Sequence, residues 1–431
     1  MVYLSLRPII VQTTMITNMT SATPASKANK SMGYSSNKSL MAWVLGVQNT
    51  KQTVNYFQRF TSYVFLGFCA LLLISCASSP EYTPKSSAKG SVSTHSSTVA
   101  KFISASWSDL PGWYDDDLTA AWPAWKRSCD GLVRRNPSGL DWKSVCTAAN
   151  RVNSSSNQSI RDYFETHMKV MEIRHQAGPA AGSDRGLVTG YYEPYLNGAR
   201  QRGGVYQTPI HRYPDEWKKR KPAQLPTRAE LLSSGQLKGQ EILWVDDPVA
   251  AAFMQVQGSG RVRMNDGKVI RLGFAGTNDQ PFKSFAKWLL DRKEINQSTA
   301  TMQGIQAWAN RNSPQRVQEM LNANPRYVFF REMPAVADIT VGPIGALGVP
   351  LTAERSIAVD TKALPLGAPV YLSTTYPLSE KPLRRLMMAQ DTGSAIIGAV
   401  RADFYWGTGD QAGEYAGRMK QQGKMWVFLP R

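Results

Sequence analysis

Histidine and cysteine are scarce: the chain has four of each in 431 residues. The histidines (His95, His167, His175 and His211) are dispersed, so neither a metal cluster nor a His-based catalytic triad is indicated. The apolar run Tyr63–Ser75 has thirteen residues, too few for a bilayer span, which needs about 20. No internal repeat is evident, which sets repeat architectures aside. Acidic residues are missing altogether from positions 1–75, which hold six Lys or Arg (Arg7, Lys27, Lys30, Lys38, Lys51 and Arg59).

The rest of the composition is that of a globular chain, 42% hydrophobic and 19% charged, and long enough for two domains with cores of their own. A formal charge of +18 calls for an anionic partner. Nucleic acid is not that partner: the basic residues are scattered and no nucleic-acid motif is present. Peptidoglycan stem peptides, anionic envelope polymers and lipid head groups fit equally well.

Basic residues, then a short apolar run, then small residues make a secretory signal over residues 1–75. About fifty residues precede the apolar run, and Met41 is the alternative start that shortens this lead. The run closes on Leu73-Ile74-Ser75-Cys76, which resembles the lipobox of bacterial lipoproteins. That resemblance implies cleavage before Cys76 and a lipid on its sulfur, an anchor that does not span the membrane. Ala77 rather than Asp after the cysteine points to the bacterial outer membrane, with the chain facing the periplasm. Residues 76–106 then read as lipid anchor and Ser/Thr-rich linker. Cys129 and Cys146 are either a disulfide, which an oxidising compartment permits, or two buried thiols.

Helical spacing dominates from Trp107 to about His175: Leu118, Ala121, Trp122 and Trp125 recur on one face, and Tyr163, Met168, Val170 and Met171 do so more loosely. From Gly186 the pattern shifts to short β-type runs. Gly186–Tyr192 reads as a strand. Thr227 to Glu230 is a capping box, and Asp247-Pro248 and Ser313-Pro314 open helices. Arg261–Met264 and Lys268–Leu272 flank Asn265-Asp266-Gly267, a hairpin signal. Helices are expected over Phe282–Ile295 and Met302–Asn310. Five further strands are expected: Tyr327–Arg331, Ser356–Val359, Pro369–Leu372, Leu386–Gln390 and Met425–Leu429. Strands without regular intervening helices favour barrels over a doubly wound sheet.

The candidate chemistry lies near the C-terminus. Asp360 and Asp391 follow strands, and Asp403 sits in Arg401-Ala402-Asp403-Phe404-Tyr405-Trp406-Gly407. Tyr405 and Trp406 are candidates for stacking on sugar rings, or for desolvating Asp403 and raising its pKa as a general acid requires. Asp360 and Asp391 serve equally well as turn residues accepting backbone hydrogen bonds. Asp391-Thr392-Gly393-Ser394 resembles an aspartic-protease loop, but Asp360-Thr361 is followed by Lys362, so the second loop of that type is missing.

A wider resemblance joins distant segments: Thr189-Gly190-Tyr191-Tyr192-Glu193-Pro194, then Thr208-Pro209-Ile210, Gln257-Gly258-Ser259-Gly260, Asn324 to Phe330 and the three aspartates. This ordered set, behind a lipobox, resembles the membrane-bound lytic murein transglycosylase A family with its C-terminal three-aspartate domain. The resemblance implies a mainly β fold with flanking helices: a double-psi β-barrel, an inserted second β-rich domain, and a groove between them. The barrel would take residues 107–205, with N-terminal helices, and 326–431; the insert would take 206–325. It implies that Asp403 is the catalytic acid and base, with Asp391 and Asp360 as its partners. Thr189, Gly190, Tyr191, Tyr192, Glu193, Gln257, Gly258, Ser259 and Gly260 would line the groove, with Tyr405 and Trp406 beside Asp403.

The activity implied is cleavage of the β-1,4 bond between N-acetylmuramic acid and N-acetylglucosamine in peptidoglycan glycan strands. It leaves 1,6-anhydro-muramic ends and needs neither metal nor organic cofactor. The alternatives are a muramidase-type hydrolase pairing Asp403 with Asp391 or Glu193, and a non-catalytic peptidoglycan-binding barrel, since fold does not fix function.

Overall fold

The computed structural model describes residues 99–431, apart from 136–137, 220–224 and 337. The signal region 1–75, Cys76 and the linker up to residue 98 lie outside the described residues. Strand β1 (Ala100–Ala105) pairs antiparallel with β2 (Met168–His175), and helices α1 (Leu118–Arg135), α2 (Trp142–Ala148) and α3 (Asn157–His167) lie between them in sequence. Both strands correct the sequence reading, which put β1 in the linker and β2 in a helical stretch. Met168 and Val170 are buried with Lys169 between them only partly covered, the alternation of a sheet, but Met171 and Ile173 are buried as well, so the strand's period is blurred in the sequence.

Strand β3 (Gly186–Glu193) leads through Pro194 directly into β4 (Tyr195–Ala199). There follow β5 (Thr208–His211), α4 (Asp215–Lys219), α5 (Arg228–Ser233), β6 (Glu241–Val245), α6 (Pro248–Gln257), β7 (Ser259–Met264) and β8 (Val269–Thr277). Helices α7 (Phe285–Asp291), α8 (Met302–Ala309) and α9 (Pro314–Asn322) precede β9 (Val328–Met333). The starts are written locally. Thr227 and Glu230 form the expected reciprocal cap of α5, Asp247 accepts from the amides of Val249 and Ala250, and Ser313 caps α9 ahead of Pro314. Gly267 adopts φ +85° in the turn between β7 and β8, a conformation that favours glycine.

Strands β4 to β9 form one six-stranded sheet in the order β5-β6-β4-β7-β8-β9. Strand pairing thus carries this sheet beyond the 206–325 bounds read from sequence, to Tyr195 at one end and Met333 at the other. Its core is built on Leu196, Leu243, Met254, Val262 and Phe330, and the helices add Leu289, Trp308 and Met320.

The chain then returns with β10 (Ser356–Val359), β11 (Pro369–Thr375), β12 (Pro382–Asp391), β13 (Arg401–Thr408), α10 (Asp410–Arg418) and β14 (Lys420–Pro430). These strands and β3 close a ring in the order β14-β11-β12-β10-β13-β3, because β14 pairs back onto β3. The eleven residues of β14 make this possible: Lys420–Gly423 pair with β3, and Trp426–Pro430 pair with β2. Two contacts in the ring, β10 with β12 and β13 with β3, are parallel. Strand β13, which carries Asp403, was not among the expected strands.

Trp113, Trp125, Trp142, Phe164, Tyr371 and Phe428 fill the space between the ring and helices α1–α3. Cys129 of α1 and Cys146 of α2 form a disulfide across a sequence separation of 17. Closing a loop of that length removes unfolded-chain entropy worth about 3 kcal/mol. Replacing both cysteines by serine is therefore expected to lower the free energy of unfolding by about 3 kcal/mol in urea titrations. An unchanged midpoint and slope would show that the bridge contributes nothing.

Candidate active site

Everything described lies in one compact unit, Ser87–Arg431, and a cleft of about 1180 Å³ runs between the ring and the six-stranded sheet. Thr189, Ala358, Asp391, Arg401 and Asp403 come from ring strands or their ends; Gln257, Ser259, Arg271, Phe274 and Arg331 come from the other side.

Register places the central group. Strand β13 runs parallel to β3 with Asp403 opposite Thr189, and antiparallel to β10 with Asp403 opposite Ala358. Thr189 Oγ1 donates to Asp403 Oδ1 at 2.5 Å and accepts from Arg401 Nη2 at 2.9 Å. A guanidinium has no acceptor, so the single Thr189 proton must point at Asp403. Oδ1 is thereby committed as an acceptor. Among the described residues nothing hydrogen-bonds Oδ2, so a proton carried by Asp403 belongs there. Burial pushes the Asp403 carboxyl above its usual range, and the Thr189 hydrogen bond and the Arg401 charge pull the other way.

Asp391 ends β12 and faces the same cleft. Tyr191 Oη donates to its Oδ2 at 3.1 Å and the Ala346 amide to its Oδ1 at 3.0 Å. Burial raises its pKa from 3.8 to about 6; amide hydrogen bonds from Thr392 and Ala346 and the Tyr191 hydroxyl oppose the rise, and the Asp403 charge adds to it. Burial also holds the Tyr191 hydroxyl well above its ordinary value, so it stays a neutral donor.

Asp360, grouped with these two in the sequence reading, does not line the cleft. It is buried, and its oxygens accept from the amides of Lys362 at 2.9 Å and Gly398 at 2.8 Å, pinning the loop that precedes β13. Tyr405 and Trp406 are likewise not sugar platforms, being 1% and 5% exposed. Tyr405 packs on Tyr191 beneath the cleft floor, and Trp406 stacks on Tyr415 on the opposite face of β13. Strand alternation sends Arg401, Asp403 and Tyr405 one way and Phe404 and Trp406 the other.

Glu193 borders the cleft but is 1% exposed, its carboxylate held by Arg261 Nε at 2.7 Å and Thr408 Oγ1 at 3.1 Å. It is therefore a structural ion pair and not a free sugar ligand. The Oε1 of Gln257 accepts from the Tyr192 amide at 3.0 Å, tying α6 to β3. Gly190, Gly258 and Ser259 line the cleft as read from sequence. A Cβ at Gly190 would sit 2.7 Å from Trp406 Nε1, so close packing already requires glycine there. Gly260 faces Met254, and Tyr192 turns away toward Met302; neither lines the cleft.

The sequence reading missed several lining residues. Arg401 was findable, since it stands two positions before Asp403 and alternation puts both on one face. Phe274 and Phe282, 50% and 42% exposed within the cleft, are the apolar surfaces available to stack on a sugar ring. Their positions in an otherwise ordinary strand and loop carried no signal. The Ala346 amide is brought in by the loop before β10, which no local pattern announces.

Residues 187–331 match the family described as MltA specific insert domain, and residues 355–429 match the 3D domain. Membrane-bound lytic murein transglycosylase A of Escherichia coli (strain K12) is 35% identical over 255 residues, a match covering 56% of this chain and 64% of that protein, just under two thirds of its length. The crystal structure of E. coli MltA with bound chitohexaose has a TM-score of 0.57 at 25% identity, covering 76% of this chain and 91% of that one. The lytic transglycosylase LtgG of Burkholderia pseudomallei is 50% identical with a TM-score of 0.55, covering 77% and 95%. MltA from Neisseria gonorrhoeae is 35% identical with a TM-score of 0.66, covering 77% and 93%.

The raised pKa of Asp391 has a measurable thermodynamic consequence. A carboxyl whose folded value is about 6 against an ordinary 3.8 favours the folded state below pH 4, and that advantage is lost as pH rises through 6. At pH 7.5 the ionised group destabilises the fold by up to about 3 kcal/mol. Asp391→Asn, nearly isosteric, is expected to stabilise the protein at pH 7.5 and to have little effect at pH 4, as read by denaturant midpoints. Equal effects at both pH values would refute the shift.

Proposed function

The chain belongs to the membrane-bound lytic murein transglycosylase A family, and on that premise we propose that it cuts peptidoglycan glycan strands without consuming water. Asp403 carries the reaction. Its Oδ2 proton passes to the glycosidic oxygen between N-acetylmuramic acid and N-acetylglucosamine as the C1–O bond breaks. The resulting carboxylate then takes the proton of the C6 hydroxyl of the same muramic residue. That oxygen bonds to C1 and closes a 1,6-anhydro ring. One group serves both steps because the first leaves it in the form the second needs.

The observation that carries this reading is that Asp403 is the one cleft carboxylate that is desolvated, outside any ion pair and, among the described residues, unoccupied at one oxygen. Among the described residues the cleft holds three other carboxylates. Glu193 is neutralised by Arg261, Asp391 is held at both oxygens, and Asp279 is tied to Thr277 at the rim. A hydrolase needs a second working carboxylate for a nucleophile or base; a mechanism that recycles one does not. Arg401 and Thr189 act through Asp403 as positioning residues, and Phe274 and Phe282 are assigned to stacking on the strand.

The closed six-strand ring with its two parallel contacts supports assigning a double-psi barrel, with the inserted domain extending over Tyr195–Met333. Cys76 is assigned as the lipidated residue, anchoring the enzyme to the outer membrane with the cleft in the periplasm.

Mass spectrometry of soluble products from purified sacculi tests the reaction. The parent is expected to release anhydro-muropeptides, and Asp403→Asn to lose at least about a hundredfold in rate. Products with reducing ends would make the protein a hydrolase, and no release by the parent would make it a binding protein.

A second test reads the proton. The acid must start protonated, so the rate falls as pH rises through the Asp403 pKa. Thr189→Val and Arg401→Met each remove an influence that lowers that pKa. Both are expected to move the basic limb of the pH–rate profile to higher pH while lowering the rate. A limb that stays put or moves down would remove Thr189 and Arg401 from the scheme.

A further inference from the structure

The cleft is lined by six arginines: Arg135, Arg228, Arg271, Arg326, Arg331 and Arg401. Among the described residues none of the six lies in an ion pair, although twelve such pairs occur elsewhere. They divide into two groups. Arg228, Arg271 and Arg401 are turned inward on structural acceptors: the carbonyls of Asn324 and Arg326, of Val341 and Gly342, and the Thr189 hydroxyl.

The other three face the opening. Arg331 of β9 is exposed and has no hydrogen-bonding partner among the described residues. Arg135, at the end of α1, is exposed and bonded only to the Ala346 carbonyl. Arg326, in the segment between α9 and β9, reaches across to Ser394 of the loop after β12, with its Nε on the Gln280 carbonyl. Positive charge therefore stands on both walls, above a floor whose two carboxyls are desolvated. Uncompensated guanidinium groups in a partly enclosed groove concentrate anions there, and their forked geometry suits carboxylates.

A glycan made only of N-acetylglucosamine is neutral. Muramic residues differ by a lactyl arm that ends in a carboxylate when bare, or in a stem peptide that carries several. Resting on the glycan-cleaving reading above, we infer that Arg331, Arg135 and Arg326 hold the carboxylates borne on the lactyl arms of muramic residues. The cleft so selects acidic strands over neutral ones. Phe274 and Phe282 supply the charge-independent part of the affinity by stacking on the sugar faces.

The test measures binding by the full chain carrying Asp403→Asn, so that no strand is consumed. Three probes are compared: chitohexaose, peptide-free strands of alternating N-acetylglucosamine and N-acetylmuramic acid, and strands with their stem peptides. Arg135→Glu with Arg331→Glu is then added. The expected result is about a tenfold loss of affinity for acidic strands, with chitohexaose affinity unchanged within about a factor of two. Raising salt is expected to reproduce the loss in the unmodified arginine background and to do little after charge reversal. Loss on peptide-bearing strands alone assigns the stem-peptide carboxylates as the ligand; loss on both acidic strands assigns the lactyl position itself.

An equal loss for chitohexaose, or no loss on any probe, overturns the inference. Arg135→Gln with Arg331→Gln guards against misfolding, because a charge effect predicts an intermediate loss. The two readings fail separately: if the parent releases no anhydro products from sacculi, the reaction assignment falls, while the charge dependence of binding is decided by the titration alone.

Discussion

The ion pair between Glu193 and Arg261 sits where the two sheets meet, and the shape of the cleft depends on it. Glu193 is the last residue of β3, after which the chain passes through Pro194 into the other sheet. Arg261 on β7 donates to Glu193, and its other guanidinium nitrogens donate to the carbonyls of Ile339 and Val341. The Thr408 hydroxyl, at the end of β13, reaches the same carboxylate. One pair of charges therefore fixes both sheets, the loop that returns the chain to the ring, and the far end of the strand that carries Asp403. Both side chains are almost wholly buried. Two such charges gain little net stability over apolar replacements, but removing one alone strands the other at a cost of about 3–5 kcal/mol. The contribution visible here is geometric: each hydrogen bond crosses between separate elements, which no pair of apolar side chains would register so closely.

Above that joint, the two cleft aspartates show how one residue type is given two states. Both are desolvated. Asp391 has both oxygens occupied, by a tyrosine hydroxyl and a backbone amide, and ends as a fixed wall of the site. Asp403 has one oxygen taken by Thr189 and the other open, and Arg401 decides the direction of the Thr189 proton. The acid proposed above needs that asymmetry, with one oxygen fixed and the other open. Desolvating two carboxyls costs stability, as is common where function requires a poised group. The ring around them, with its tryptophan-rich core and the disulfide beneath, supplies the rigidity that tolerates it.

What could be read from the sequence follows from how local each signal is. Capping and turn chemistry act over three or four residues, so Thr227 with Glu230, Ser313-Pro314 and Asn265-Asp266-Gly267 all announced what the structure shows. The edge of the second sheet was not local: nothing in Tyr195–Ala199 or Val328–Met333 says which sheet they join until their partners are known. Strand β13 was hidden because Ala402 and Phe404 to Gly407 are all buried, with Trp406 and Tyr405 covered on both sides, so its alternation is faint. The same burial explains why Tyr405 and Trp406 looked like sugar platforms and are core. Glu193 looked like a ligand beside a Gly-Tyr-Tyr motif; only the arrival of Arg261 from 68 positions away makes it structural.

The cationic walls and the raised acid pull in opposite directions, since positive charge lowers the pKa of a carboxyl such as Asp403. Distance and solvent resolve the conflict. Arg331 and Arg135 are exposed at the opening, where screening reduces their influence within about 8–10 Å at physiological salt. Asp403 lies on the floor, where loss of hydration outweighs the single nearby charge of Arg401. On the proposed reaction, that arrangement would separate capture from chemistry by depth: charge at the opening to draw in an acidic strand, and little of it where the Asp403 carboxyl must hold its proton for the glycosidic oxygen.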